Sequence, residues 1–506
     1  MRKLMISLVV LFVLSQPLAG YPEERDEMQQ PINLTMNEAI FMALANNLDI
    51  RIERLQPQIA ETDVEAQKSV FDPSVTAEGS KSVSRRQTET VTAPLFTGAF
   101  EPFQDNIDVG AGIQKKFSTG AIARLEFLNN RLKSNSAVQR FDPSYTGDLG
   151  ISLTQPLLKD FGREFNLGQI VIAKNNKEIS DFQFRKRVID VISAVRAAYW
   201  DLVRAIENLD VAEQSVRQAQ ELLEINKAKV EVGQLAPIDV IEAEAGVAAR
   251  EEAVILAEDA IHDVEDLLRA LLHSGGRTVW LGLPIIPKDR PFDARFSFAL
   301  TPSVHTALEN RPDYLQVKTD LENRLIGLKL AKNQVLPRVD LVASAGVNGL
   351  GETYGDTLEE LDGDYYDLRI GLRFEYPLGN RAAKSQVVRR RLERRQVELR
   401  LGDLEKNISL EVREAIRQVD TDFKRIKTTR VSRRLAEKKL EAEQAKFEVG
   451  ISTTKDVLDF QIDLAVARSR EVEALIDYNK SLVRLYQVLG TTLEESGITL
   501  DIPGSG

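Results

Sequence analysis

The sequence contains no cysteine. That excludes a disulfide framework, a thiolate metal site, a cysteine nucleophile and a lipid-bearing N-terminal cysteine. Aromatic residues are scarce, at 6% of 506 residues, and the histidines number three: His262, His273 and His305. None of them sits in a metal-ligand spacing, and there is no glycine-rich phosphate loop or nucleophile elbow. No enzyme, cofactor or metal centre is expected. Positive charge is in deficit, with 66 Lys and Arg against 77 Asp and Glu, a net charge of −11. Nucleic-acid binding needs a basic footprint, so it is not expected either. Beyond the N-terminus no apolar run reaches the ~20 residues that a membrane-spanning helix requires.

What is present begins with a signal-peptide pattern over residues 1–20. Arg2 and Lys3 are followed by the apolar run Leu4–Leu14 and by Pro17-Leu18-Ala19-Gly20. Its removal takes away two bases and no acid, which leaves a net charge of −13. The alternative, an N-terminal membrane anchor, needs a longer apolar run. An exported chain without a spanning helix is either soluble or a β-barrel.

The rest of the chain is written twice. Ala43-Leu44-Ala45-Asn46-Asn47-Leu48-Asp49 returns as Ala307-Leu308-Glu309-Asn310-Arg311-Pro312-Asp313, at an offset of 264. Asp72-Pro73-Ser74-Val75 and Leu336-Pro337-Arg338-Val339 share that offset. Thr154-Gln155-Pro156-Leu157 pairs with Glu375-Tyr376-Pro377-Leu378 at offset 221, and Ala228–Gly233 with Ala445–Gly450 at offset 217. Preserved order indicates an internal repeat. The first copy therefore holds 43 extra residues between its strand zones, and 4 extra assigned to its long helix. The expected division is 21–285 for the first repeat and 286–490 for the second, with 491–506 as a tail. A Gly/Pro-rich connector, His273–Leu300, joins them.

Each copy reads as helix, strands, long helix and returning helix. Strands are expected over about 73–156 and 338–376. There, runs such as Ile107, Val109, Ala111, Ile113 and Leu368, Ile370, Leu372, Phe374 alternate with polar residues or glycine. Such segments suit tilted membrane strands; taken alone, they also suit the edge of a soluble sandwich. Two strands per repeat give four. The alternation Ala121, Ala123, Leu125, Phe127 after Ser118-Thr119-Gly120 raises the total to six, or marks a hairpin rising outside the membrane. Helical hairpins follow over about 163–272 and 380–490. The first has apolar residues three and four apart: Val188, Val191, Val195, Ala198, Leu202, Ala205, Leu209, Ala212, Val216, Ala219, Leu223. The tips lie at 232–239 and 449–456, where Gly233 and Gly450 end the long helices.

Four to six strands cannot close a membrane barrel, which starts near ~8 strands. Copies related by cyclic symmetry must complete it. A trimer supplies twelve to eighteen strands.

The paired Ala-Leu-x-Asn-Asn/Arg-x-Asp motifs, Thr-Gln-Pro-Leu-Leu and the twin Val-Gly tips resemble the TolC family of outer-membrane efflux proteins. The resemblance covers nearly the whole chain after residue 20. It implies a mainly α fold with a β-barrel segment: a trimeric outer-membrane β-barrel continued by a periplasmic α-helical coiled-coil barrel. It implies a passive exit duct for tripartite efflux or type I secretion, embedded in outer-membrane lipid. The implied partners are two further copies, a periplasmic adaptor protein and an inner-membrane transporter. Asp456 and Asp459 match the family's paired aspartates at the channel constriction; the plain alternative is two acids facing a helix dipole. Asp239 matches a tip aspartate that helps hold the channel shut. Phe447 and Ser452 stand where its tyrosine and arginine partners are implied, and Lys455 is a possible substitute. Gly233 and Gly450 mark the adaptor-docking turns. The rival reading is a soluble periplasmic coiled-coil adaptor, which gives no reason for duplicated strands. An acidic stretch, Glu352–Asp367, reads as an outward loop, and Tyr145, Tyr365, Tyr366, Phe374 and Tyr376 as aromatic girdles.

Overall fold

A computed structural model of the chain describes residues 31–86, 102–135, 139–272 and 283–500. The expected signal peptide and part of the connector lie outside the described residues.

The chain enters through a short strand, β1 (Ile32–Leu34), and three helices: α1 (Met36–Asn46), α2 (Leu48–Glu53) and α3 (Leu55–Lys68). The first helix starts at Thr35 because Thr35 and Glu38 form a reciprocal capping box. Four strands follow: β2 (Ser74–Arg85), β3 (Phe103–Lys116), β4 (Ile122–Ser134) and β5 (Ser144–Pro156). A helical turn, α4 (Arg163–Asn166), leads into α5 (Gly168–Glu231), and α6 (Pro237–Leu272) returns alongside it. The second half repeats the plan with β6 (Ile285–Pro287), α7 (Leu300–Asn310), α8 (Pro312–Asn333), β7 (Arg338–Gly351), α9 (Tyr354–Glu359), β8 (Tyr366–Glu375), α10 (Arg381–Glu448), α11 (Thr454–Leu489) and α12 (Thr492–Glu495).

The sheet is antiparallel, in the order β2-β3-β4-β5-β7-β8. Six strands is the upper of the two expected counts. The extra hairpin, β3–β4, does not rise outside the sheet. Its turn lies at the helical end, where the Gly162 N–H donates to the Thr119 carbonyl at 3.0 Å. Gly120 sits there at φ 93°, and a Cβ would lie 2.5 Å from the Asp160 carbonyl oxygen. Much of the 43-residue excess in the first repeat is this hairpin.

The long helices contain 64 residues (α5) and 68 (α10), so at ~1.5 Å per residue each reaches about 100 Å. The 4-residue excess expected in the first long helix is not there, because α10 is the longer. The segment 157–167, which includes the turn α4, absorbs it. Near the sheet the helices lie side by side as α3, α5, α8 and α10; further down they are α6, α5, α11 and α10.

The core is elongated. Phe184, Val188, Ile192, Tyr199 and Leu268 bury one cluster against α1 and β6, and Ile408, Val412, Tyr478 and Leu485 another beneath α7. The α5 seam holds as expected to Ala205 and again at Ala219, with Ser215, Leu222 and Asn226 turning inward beside it. Val216 and Leu223 are only half-buried. An α-helix of 3.6 residues per turn drifts ~20° per heptad away from a strict 3.5 repeat.

Candidate functional site

Two regions carry functional geometry: the sheet and the far tip. In the sheet, strand register aligns the apolar residues into rows. One row reads Val75, Ile113, Leu125, Ile151, Ala345 and Leu368; the next reads Ala77, Ala111, Phe127, Leu149, Val347 and Tyr366. The opposite face carries rows such as Thr76, Gly112, Glu126, Gly150, Gly346 and Asp367. A one-residue slip in any strand would exchange its two faces. The apolar face is open: Leu368 is 78% exposed. On β8, Tyr366 and Phe374 bracket Leu368, Ile370 and Leu372, as the expected girdles require. That span of strand is about 27 Å long at ~3.4 Å per residue, or about 21 Å high at a ~40° tilt. A membrane barrel's apolar band is ~25 Å tall. No helix among the described residues is long and apolar enough to cross a membrane. The acidic loop is more structured than expected, because α9 lays buried Thr357 against Gly147, Gly349 and Gly351.

An apolar strand band above a shaft of long helices, repeated twice in one chain, defines an architecture. The sequence profile for outer membrane efflux proteins matches residues 39–273 and again 303–491. The chain belongs to the outer membrane efflux protein family. It is 25% identical to the outer membrane protein TolC of Vibrio cholerae over 334 residues, which covers 64% of this chain and 73% of that protein. It is 22% identical to the outer membrane efflux protein BepC of Brucella suis over 471 residues, 92% of this chain and 86% of that one. Among solved structures, CusC superposes with a TM-score of 0.67 at 16% identity, covering 92% of this chain and 94% of its own. The CmeC channel of Campylobacter jejuni gives 0.64 at 17%, covering 92% and 90%. The protein is therefore an outer-membrane efflux channel component with a long periplasmic helical extension. Channels of this kind are homotrimers that work with an adaptor and an inner-membrane pump.

The tip of this efflux protein is held by contacts between its two hairpins. Gly233 (φ 76°) and Gly450 (φ 80°) take the left-handed conformation that closes each long helix, with open space around both. Asp239 lies in the first turn of α6, and its carboxylate accepts from the Ala236 N–H at 3.1 Å and the Thr454 hydroxyl at 3.2 Å. The Asn226 amide donates to the Thr454 hydroxyl oxygen at 2.9 Å and to the Asp239 carbonyl at 3.0 Å. Asn226 and Thr454 are both fully buried. Lys229 donates to the Phe447 carbonyl at 2.8 Å, and its ammonium lies 4.0 Å from the Phe447 ring centroid. That is a cation–π contact between the hairpins. Ser452 turns back onto its own hairpin and donates to Glu443 at 2.7 Å. The Ser452 hydroxyl and the Lys446 ammonium hold the Glu443 carboxyl below the usual carboxylate range.

Asp456 and Asp459 are exposed, one turn apart on α11. Asp456 completes the capping box with Thr453, accepting from its hydroxyl at 2.6 Å. The Thr453 side chain and backbone N–H hold the Asp456 carboxyl below its ordinary value. Lys455 is exposed beside it. Asp239 and Thr454 thus meet, while Ser452 and Phe447 bond elsewhere than to Asp239. Asn226, Lys229 and Thr454 were missed from sequence. Asn226 carried the one available signal, a polar residue at seam spacing.

Proposed function

We propose that three copies of this chain assemble into one passive duct across the outer membrane and periplasm. Among the described residues, each sheet has two unpaired edges, β2 and β8. Unpaired backbone in lipid costs several kcal/mol per group, so neighbouring copies pair these edges and close a barrel. The helices beneath form the tunnel wall. The observation that carries this reading is the apolar band in register across every strand of a sheet with two free edges.

A periplasmic adaptor docks at the Gly233 and Gly450 turns, and an inner-membrane transporter supplies the energy. The duct itself uses no cofactor and performs no catalysis. Asp456 and Asp459 face the closed end of the tunnel, where three copies of each form a negative constriction favouring cations. Asp239 with Thr454, and Lys229 with Phe447, tie the two tips together at rest.

Single-channel recording in a planar bilayer tests this. The wild type should show a small, cation-selective conductance. Asp456→Ala/Asp459→Ala should conduct more and select less. An unchanged double mutant would remove these residues from the gate. A folded protein that neither inserts nor conducts would overturn the channel.

A further inference from the structure

The hairpin β3–β4 interrupts an otherwise duplicated plan. In the second repeat, β7 passes to β8 through the segment containing α9. In the first, β2 passes to β5 only after two further strands. Two is the smallest insertion that leaves β5 running toward the helices.

Three observations place this hairpin in the barrel wall. Its thirteen-residue and fourteen-residue strands match their neighbours in length and pair with β2 on one side and β5 on the other. Its outward residues Ala111, Ile113, Leu125 and Phe127 continue two apolar rows without a break, and Val109 stands on the same face in a row with Gly79, Asn129 and Gly147. On the opposite face, Asn130 donates to Asp108 at 2.6 Å and to Asn106, while Ser80 of β2 donates to Asp108 at 3.0 Å. That network stitches three strands together on a polar face, as a water-filled lumen requires.

We propose that the inserted hairpin widens the exit: three copies close an eighteen-stranded barrel in place of the twelve strands that the bare duplication would supply. This rests on the trimeric channel reading given above. Barrel diameter grows roughly linearly with strand number, so the insertion widens the barrel about 1.5-fold. At ~4.8 Å per strand and a ~40° tilt, eighteen strands have a perimeter of about 110 Å, against about 75 Å for twelve. Four helices per copy lie beneath the sheet, twelve in a trimer, and at ~9–10 Å spacing their perimeter is also about 110 Å. The wider barrel continues the helical tunnel without a step. Eighteen-stranded barrels leave an aqueous channel. Sorting of cargo then falls to the periplasmic tip, and the outlet passes bulky hydrated solutes.

The absence of cysteine makes the test clean. Single substitutions Val109→Cys, Phe127→Cys, Gln114→Cys and Glu126→Cys are introduced into the full chain in outer-membrane preparations. Val109 and Phe127 should react only with a lipid-soluble maleimide, and Gln114 and Glu126 with a charged, membrane-impermeant one. If all four react with the charged reagent, the hairpin is outside the wall and the proposal fails. A second measurement sizes the opening with neutral polyethylene glycols added from the outer side of a bilayer. A variant lacking residues 103–134 should lower the exclusion radius by about one third. An assembled variant with an unchanged radius also overturns the proposal; if the variant does not assemble, the labelling pattern decides. A wild type that forms no conducting oligomer sinks the channel reading itself. A conducting wild type whose hairpin labels uniformly from water sinks only the wider barrel.

Discussion

Asn226 and Thr454 are two small polar residues in a place built for leucine and alanine. Each is fully buried, and each bonds across the seam between hairpins. Removing one partner leaves another buried polar group unpaired, which costs about 1–3 kcal/mol. Thr454→Val should therefore raise the resting leak in bilayer recordings, and Asp239→Ala should do so as well. A resting leak equal to wild type in both would place the latch elsewhere. Arg311 is the other residue on which much depends. Its guanidinium bonds Asp313 at 2.7 Å and also Glu411, joining α8 to α10. Burial pushes the Asp313 carboxyl up, but the Arg311 hydrogen bond and charge outweigh it and hold the net value below the ordinary range. A depressed carboxylate stabilises the fold above its unfolded pKa of ~3.9 and loses that contribution as pH falls through the folded value. Arg311→Met should cost about 1–3 kcal/mol at pH 7, because it strands the half-buried Asp313 carboxylate and the more exposed Glu411. The deficit should shrink below about pH 4. Unfolding of the detergent-purified protein at both pH values checks the sign.

At the scale of elements, the helix ends differ in what surrounds them. Gly490 ends α11 at φ 75°, and a Cβ there would lie 2.9 Å from the Asn310 backbone at the end of α7. Gly450 has a similar φ of 80° and open space. The left-handed conformation costs a non-glycine residue about 1–2 kcal/mol. Gly450→Ala should cost that strain alone, whereas Gly490→Ala adds a backbone clash. Thermal unfolding should rank Gly490→Ala as clearly the more damaging, and the reverse order would show that α7 yields freely. Strands and helices were legible in the chain because each has its own period, two residues or about three and a half. The seam of α5 was legible to Ala205 and again at Ala219, but not at the positions around it. Beyond Ala205 the helix drifts relative to its partners, and which residues then turn inward depends on the neighbours. The destination of the extra four residues was likewise invisible, because an offset between two motifs counts residues without saying which are helical.

At the scale of the whole molecule, the trimeric duct proposed above requires each copy to be completed by its neighbours. Each copy offers two strand edges and an exposed apolar band, and lipid forbids the edges from staying open. The detergent-purified protein should therefore run as an oligomer three times the chain mass. Ile370→Pro on the edge strand β8 should lower the yield of that oligomer, since the Ile370 N–H faces away from β7 and proline donates no ladder hydrogen bond. Equal yield would show that this edge position lies outside the inter-copy ladder.

Composition, alternation and the twofold repeat by themselves determined the broad plan of this protein: strands with one apolar face, long paired helices, and two glycine-ended tips. These are properties of residues near one another in the chain, and local periodicity records them directly. Only the tertiary structure decided that the β3–β4 hairpin stands inside the sheet, that Asn226 and Lys229 join the tips, and that Ser452 turns back to Glu443. Each of those depends on residues brought together from distant or opposed segments, and the order of a sequence does not encode which distant atoms will meet.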